Sequence, residues 1–162
     1  MNKIENIIEY LKAQNQTISF AESCTGGRIA SAFTAVSGAS AILNGSCITY
    51  SNEIKQRWLG VREKTLIEYG AVSSECVEEM LVGIKEMASS DYAIAVSGIA
   101  GPTGGSDTKP IGTVYIGILT PKGSFVKLYN FDGDREEIQS EATSKAIEVL
   151  WKSTLNASSN HK

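Results

Sequence analysis

The stretch DYAIAVSGIAGPTGGSDTKPIGT, Asp91 to Thr113, decides how this chain is built. Its first seven residues are almost continuously apolar, as a strand is when both faces of a sheet are covered. A Gly/Pro loop follows, and then two β-prone runs, Thr113–Leu119 and Ser124–Phe131, flank Thr120-Pro121-Lys122-Gly123 and read as a hairpin. Upstream, Ile4, Ile7, Ile8 and Leu11 keep the i, i+3, i+4, i+7 spacing of an amphipathic helix. Thr17–Phe20 is a short strand that runs into Ala21-Glu22-Ser23. Gly26-Gly27 opens a second helix, from Arg28 to about Val36. Ser46–Tyr50 reads as a strand, Ser51-Asn52 as the cap of a short helix carrying Lys55, and Val77, Met80, Leu81, Ile84 and Met87 as the inner face of a further helix. Downstream, Asp134 and Glu137 have capping-box spacing at the start of a long helix with Ile138, Ala142, Val149 and Leu150 inward. Helices that alternate with strands early, then a late hairpin, predict an α/β/α sandwich on a mixed sheet of about five strands.

Composition bounds the function. The 162 residues are 42% hydrophobic and 20% charged, with a net charge of −3 and a pI near 5.2. That suits one domain with a real core, residues 1–155, followed by a disordered polar tail over 156–162. No lysine- or arginine-rich run marks a nucleic-acid or anionic-lipid surface, so neither nucleic acid nor membrane is expected as a partner. The N-terminus lacks a signal-peptide core, no apolar run reaches spanning length, and a cytoplasmic protein is the default.

The chain holds a single histidine, His161, next to its end. A histidine-based triad is thereby excluded, and no metal site or cofactor is expected. Cys24, Cys47 and Cys76 form no CxxC and read as free thiols, Cys47 in a strand and Cys76 in a helix. Cys24 sits in a Gly-rich turn, where no histidine could activate it.

Chemistry must then come from serine, lysine and tyrosine. Two Gly-rich loops, Ser23–Gly27 and Ser97–Gly105, each follow a strand, at the sheet edge where open α/β folds bind ligands. Their residues Ser23, Thr25, Gly26, Gly27, Ser97, Gly98, Gly101, Gly104 and Gly105 are candidates for binding a small phosphorylated or carboxylated ligand through backbone amides. Neither loop is a nucleotide fingerprint. Lys55, one turn into its helix, can curl back over a strand end, where burial would leave a neutral amine able to take a serine proton. Tyr50 could relay that proton or orient the amine. Among the serines, Ser40 follows Gly38-Ala39 in a turn where free amides could hold an oxyanion, and it is favoured only slightly over Ser23.

AESCTGG, ITYSNEIK, YGAVS, VSGIAGPTGG, KPIGTVYIG and FDGDRE, in this order, resemble the CinA C-terminal domain family over roughly Ile4–Lys152, in particular its stand-alone nicotinamide-nucleotide amidases. The resemblance implies a three-layer α/β/α sandwich with a mixed, mostly parallel five-stranded sheet. It implies hydrolysis of the amide of nicotinamide mononucleotide (NMN) to nicotinate mononucleotide and ammonia, in pyridine-nucleotide recycling. The mechanism it implies is a metal-free serine/lysine/tyrosine one, carried onto Ser40, Lys55 and Tyr50, with Arg135 toward the phosphate and a homodimer expected. Where the family often has a second basic residue after the GDR arginine, this chain has Gln139. The competing readings are a non-catalytic nucleotide-binding, competence- or damage-associated module, and a redox sensor built on Cys24.

Overall fold

A computed structural model describes residues 2–159; His161 and its neighbours lie outside them. One five-stranded sheet runs in the order β2-β1-β3-β4-β5. Its strands are β1 (Ile18–Glu22), β2 (Leu43–Ile48), β3 (Tyr92–Gly98), β4 (Thr113–Thr120) and β5 (Gly123–Asn130). β1 pairs in parallel with both β2 and β3, while β4 is antiparallel to β3 and β5. The sheet is therefore mixed: four strands point one way and only β4 opposes them, although parallel and antiparallel pairings are equal in number.

Side-chain alternation builds two cores. Phe20, Ile94, Val96, Val114 and Ile116 face α1 (Lys3–Ala13), α2 (Arg28–Thr34) and α6 (Arg135–Ser159). Ala21, Ala93 and Ala95 face α3 (Asn52–Leu59), α4 (Glu63–Tyr69) and α5 (Ser74–Ala88). The second face carries small residues because α5 lies close against it: a Cβ on Gly117 would come within 2.8 Å of Leu81 and Val77. The result is the α/β/α sandwich, with β3 at its centre and buried from Tyr92 to Ser97. No helix among the described residues is long and apolar enough to cross a membrane.

The capping signals act locally as expected. Ser51 and Ser73 cap α3 and α5 through their hydroxyls, and Asp134 and Glu137 exchange backbone bonds at the start of α6.

Four expectations need correction. β2 begins and ends earlier than Ser46–Tyr50, so Tyr50 lies two residues beyond the strand. Met80 is buried, but Met87 is 53% exposed, because the last turn of α5 runs past the core contacts that end at Ile84. The tail expected from 156 is helical through Ser159, as the continuation of α6; residues 160–162 lie outside the described residues. α4 was not foreseen: it has no side-chain cap, and its Ile67 points outward at 78% exposure.

Candidate active site

Parallel pairing of β1 with β2 sets Glu22 opposite Ile48, so the residues that leave these two strands emerge side by side. Ser23 follows β1, Thr49 follows β2, and Lys55 stands one turn into α3. The Lys55 stem folds back between them. Its Nζ lies 3.1 Å from Ser23 Oγ and donates to the carbonyls of Thr49 at 2.6 Å and Tyr50 at 3.3 Å. Lys55 is 1% exposed and, among the described residues, forms no ion pair. Burial pushes its pKa below the ordinary lysine value, against weaker opposing influence from Cys76 and Cys24. A neutral amine fits these partners: two N–H groups for two carbonyls, and a lone pair for the Ser23 hydroxyl.

Ser23 is buried and borders a cavity of about 200 Å³ with Cys24, Tyr50, Lys55, Ser97, Gly98 and Arg135. Ala71, Val72 and Ala100 supply apolar wall. The Arg135 guanidinium, from the first turn of α6, donates to Gly101 O at 2.7 Å and to Tyr50 Oη at 2.8 Å. It thereby ties the Gly101 loop to the segment after β2 at the cavity mouth.

Ser40 does not belong to this site. It is exposed, in a single 3-10 turn (Ala39–Ala41) ahead of the N-terminal end of β2. Lys55 acts beyond the C-terminal end of that strand, so the six residues of β2 separate the two by roughly 16–20 Å. Closeness in sequence favoured Ser40; parallel strand pairing favours Ser23. The Tyr50 hydroxyl meets Arg135 rather than Lys55, whose contact with Tyr50 is through the main-chain carbonyl. Tyr50 is therefore placed at the mouth, 61% exposed, and not as a relay to the amine.

The two Gly-rich loops also divide. In the first, the fully buried Glu22 carboxylate accepts from Thr25 Oγ1 and from the amides of Gly27, Ile29 and Ala30. The amides of Gly26 and Arg28 go to Ser23 O and Thr25 O. The start of α2 is thus neutralised from inside, so Thr25, Gly26 and Gly27 shape the turn rather than offering an anion cradle. Glu22 was missed as a site residue; its signal was an acid placed between a strand and a Gly-Gly helix start. In the second loop the amides of Ala100, Gly101, Thr103, Gly104 and Gly105 donate to no protein acceptor among the described residues. Gly104 and Gly105 are exposed and do not line the cavity.

Cys24 is buried, and desolvation pushes its thiol up to about 12, despite some opposing influence from a backbone bond and Lys55. It is a thiol, not a thiolate, at neutral pH. Gln139 is buried and donates from Nε2 to Cys24 O at 2.9 Å, so this position holds the Ser23 turn. Among the described residues no group of three or more His, Cys, Asp or Glu could hold a metal ion.

The model of the CinA C-terminal domain family matches residues 2–154. The nicotinamide-nucleotide amidohydrolase PncC of Escherichia coli K12 is 44% identical over 156 residues, 96% of this chain and 94% of that protein. A CinA-like protein of Fervidobacterium nodosum is 48% identical over 144 residues, 89% of this chain, which spans only 35% of that longer relative. Among solved structures, the competence damage-inducible protein A of Klebsiella pneumoniae aligns with a TM-score of 0.89 at 38% identity, covering 93% of each chain. The competence/damage-inducible protein CihA of Agrobacterium tumefaciens aligns with a TM-score of 0.88 at 37% identity, over 91% of each.

Proposed function

We propose that this chain, which belongs to the CinA C-terminal domain family, is an amidohydrolase that releases ammonia from NMN, with Ser23 as nucleophile and Lys55 as general base. The observation that carries the reading is the 3.1 Å contact between Ser23 Oγ and the desolvated Lys55 Nζ. A buried lysine with no carboxylate partner is costly to keep charged, and in its neutral form it activates an adjacent hydroxyl. The near full-length likeness to a nicotinamide-nucleotide amidohydrolase supports the substrate.

Lys55 takes the Ser23 proton as Oγ bonds to the carboxamide carbon. The tetrahedral intermediate collapses as the Lys55 ammonium protonates the departing nitrogen, which leaves as ammonia. Water, deprotonated by the same amine, then cleaves the ester on Ser23 and releases the nicotinate product. The cavity of about 200 Å³ takes the carboxamide-bearing ring, leaving the ribose phosphate at the mouth. There, Arg135 uses only two of its five N–H groups on Gly101 and Tyr50, so its remaining donors and the open amides of Ala100 and Gly101 suit a phosphate.

The test is ammonia release from NMN by the purified chain, with Ser23→Ala as control and mass spectrometry of a trapped acyl adduct. Turnover with an adduct on Ser23 supports the reading. Absence of turnover, or an adduct on another residue, rejects it. NMN binding without turnover would favour a nucleotide-binding module instead.

A further inference from the structure

Ser97, near the end of β3, borders the same cavity as Ser23 and Lys55 and is only 1% exposed. Among the described residues its hydroxyl has no hydrogen-bond partner, yet it is not sealed in the interior as the unpartnered Thr49 Oγ1 is. The small part of Ser97 that remains exposed is thus its oxygen, and what that oxygen faces is the cavity. A buried hydroxyl with no partner is costly. One that opens on a cavity is expected to find its partner on the ligand.

The order of the strands decides which part of the ligand it meets. β1 lies between β2 and β3. Parallel register pairs Ala21 with Ala95, and two residues further along each strand stand Ser23 and Ser97. Alternation puts all four side chains on the α3–α5 face, on neighbouring strands roughly 4.8 Å apart. Lys55 approaches Ser23 from the opposite flank, where its Nζ holds the carbonyls of Thr49 and Tyr50 beyond β2. When Ser23 Oγ bonds to the carboxamide carbon, the nitrogen must turn toward Lys55, the source of the proton with which it leaves. The oxygen then turns away from β2, toward Ser97.

We propose that Ser97 is a catalytic residue whose hydroxyl donates to the carboxamide oxygen as that oxygen gains charge. The inference rests on the serine-amidase reading. As Oγ adds, the π pair of the carbonyl passes to the oxygen and Lys55 takes the Ser23 proton. As the pair returns, the C–N bond breaks and ammonia departs with the proton from Lys55. Ser97 keeps its own proton throughout. Its bond strengthens only while the oxygen is charged, so its loss belongs in kcat rather than KM.

The experiment compares Ser97→Ala, Ser97→Cys and Ser97→Thr with wild type. It measures thermal melting, and kcat and KM for NMN and for the methyl ester of nicotinate mononucleotide. Alanine removes the donor, cysteine keeps the shape with a poor donor, and threonine keeps the hydroxyl. Alanine should lower kcat about a hundredfold, the scale of one lost oxyanion donor, with KM within about twofold of wild type. Cysteine should fall with alanine, and threonine should recover most of the loss. The ester should be slowed as much as the amide, because its oxygen gains the same charge, whereas a role on the leaving nitrogen would spare it. An unchanged kcat in the alanine variant, a loss confined to KM, a spared ester, or no rescue by threonine overturns the proposal. If alanine prevents folding, the cysteine and threonine variants carry the comparison. If wild type releases no ammonia from NMN, the amidase reading fails separately, and the rate at which a phosphonyl fluoride labels Ser23 decides the role of Ser97. Labelling about tenfold slower in the alanine or cysteine variant supports it. Equal labelling, or none at Ser23 in wild type, overturns it.

Discussion

Lys55 Nζ lies 3.1 Å from Ser23 Oγ at the parallel ends of β1 and β2, with its other two contacts on main-chain carbonyls. An amine so placed has no anion to hold its proton. The pair is therefore set up for proton transfer rather than for an ion pair.

The first prediction separates two serines. Ser23→Ala should lower kcat for NMN by at least roughly a thousandfold, as loss of an activated nucleophile does. Ser40→Ala should keep near wild-type turnover, since Ser40 is exposed at the opposite end of β2. Steady-state ammonia release checks both, and loss of turnover in Ser40→Ala would contradict the geometry.

That contrast shows what was legible in the sequence. The layered fold was readable because period-2 and period-3.6 patterns are local, and Asp91–Ser97 announced a doubly covered strand. Tyr50 and Lys55 do come together, but through the Tyr50 main-chain carbonyl, while its hydroxyl meets Arg135. The contact between Ser23 and Lys55 was not readable from spacing alone. Register between β1 and β2 joins Ser23 to Lys55 across 32 positions, and register is a tertiary property. Glu22 escaped notice, and Gln139 stood out only as a departure from the family pattern, for a related reason: each works on backbone groups whose directions exist only after the turn has formed.

The second prediction concerns pH. Burial lowers the Lys55 pKa from the ordinary 10.5, so kcat/KM should rise with pH along a limb whose midpoint lies below that value. Stability should follow the same group. In the window between the lowered folded pKa and 10.5 the unfolded chain binds the extra proton, so raising pH favours the native state. The stability of wild type relative to Lys55→Met should therefore increase with pH across this window, measured by denaturant unfolding at several pH values. Lys55→Arg should be inactive throughout, because guanidinium keeps its proton.

The third prediction tests the mouth of the cavity. Gly101 has φ +80, and a Cβ there would stand 2.7 Å from Ile111 Cγ2. Gly101→Val must shift the loop and with it the carbonyl that receives Arg135. KM for NMN should rise about tenfold or more, the scale of one charge-assisted hydrogen bond, while kcat changes less. Arg135→Ala should do the same and Arg135→Lys only part of it. An unchanged KM in both alanine and valine variants would put the phosphate elsewhere.

The fourth prediction is that Cys24 is a bystander in the chemistry. Its thiol is buried and its pKa lies near 12, so native protein should resist iodoacetamide at that position, while denatured protein reacts readily. Cys24→Ala should retain most of its turnover, because the bond from Gln139 is to the main-chain carbonyl and survives the change. Rapid alkylation of Cys24 in the folded chain, with matching loss of activity, would revive a thiol mechanism.

The last prediction asks what holds the nucleophile's turn. Glu22 is fully buried and accepts from one hydroxyl and three amides. Its carboxylate offers acceptors on both oxygens, and a carboxamide of the same shape replaces one of them with a donor. In Glu22→Gln, then, either the Ala30 amide or the trio around Gly27 faces an N–H₂ group with nowhere else to turn. Leaving one such buried donor unmade costs about 2 kcal/mol, and for a chain of this length that lowers Tm by about 4–8 °C. Glu22→Ala removes every acceptor and leaves a cavity, so its loss should be larger. Because the same turn presents Ser23, kcat should fall in Glu22→Gln even well below the melting transition, with KM much less affected. Calorimetry and steady-state kinetics on one preparation test both halves. A stable, fully active Glu22→Gln would mean that the Gly26-Gly27 turn holds Ser23 without its buried anion.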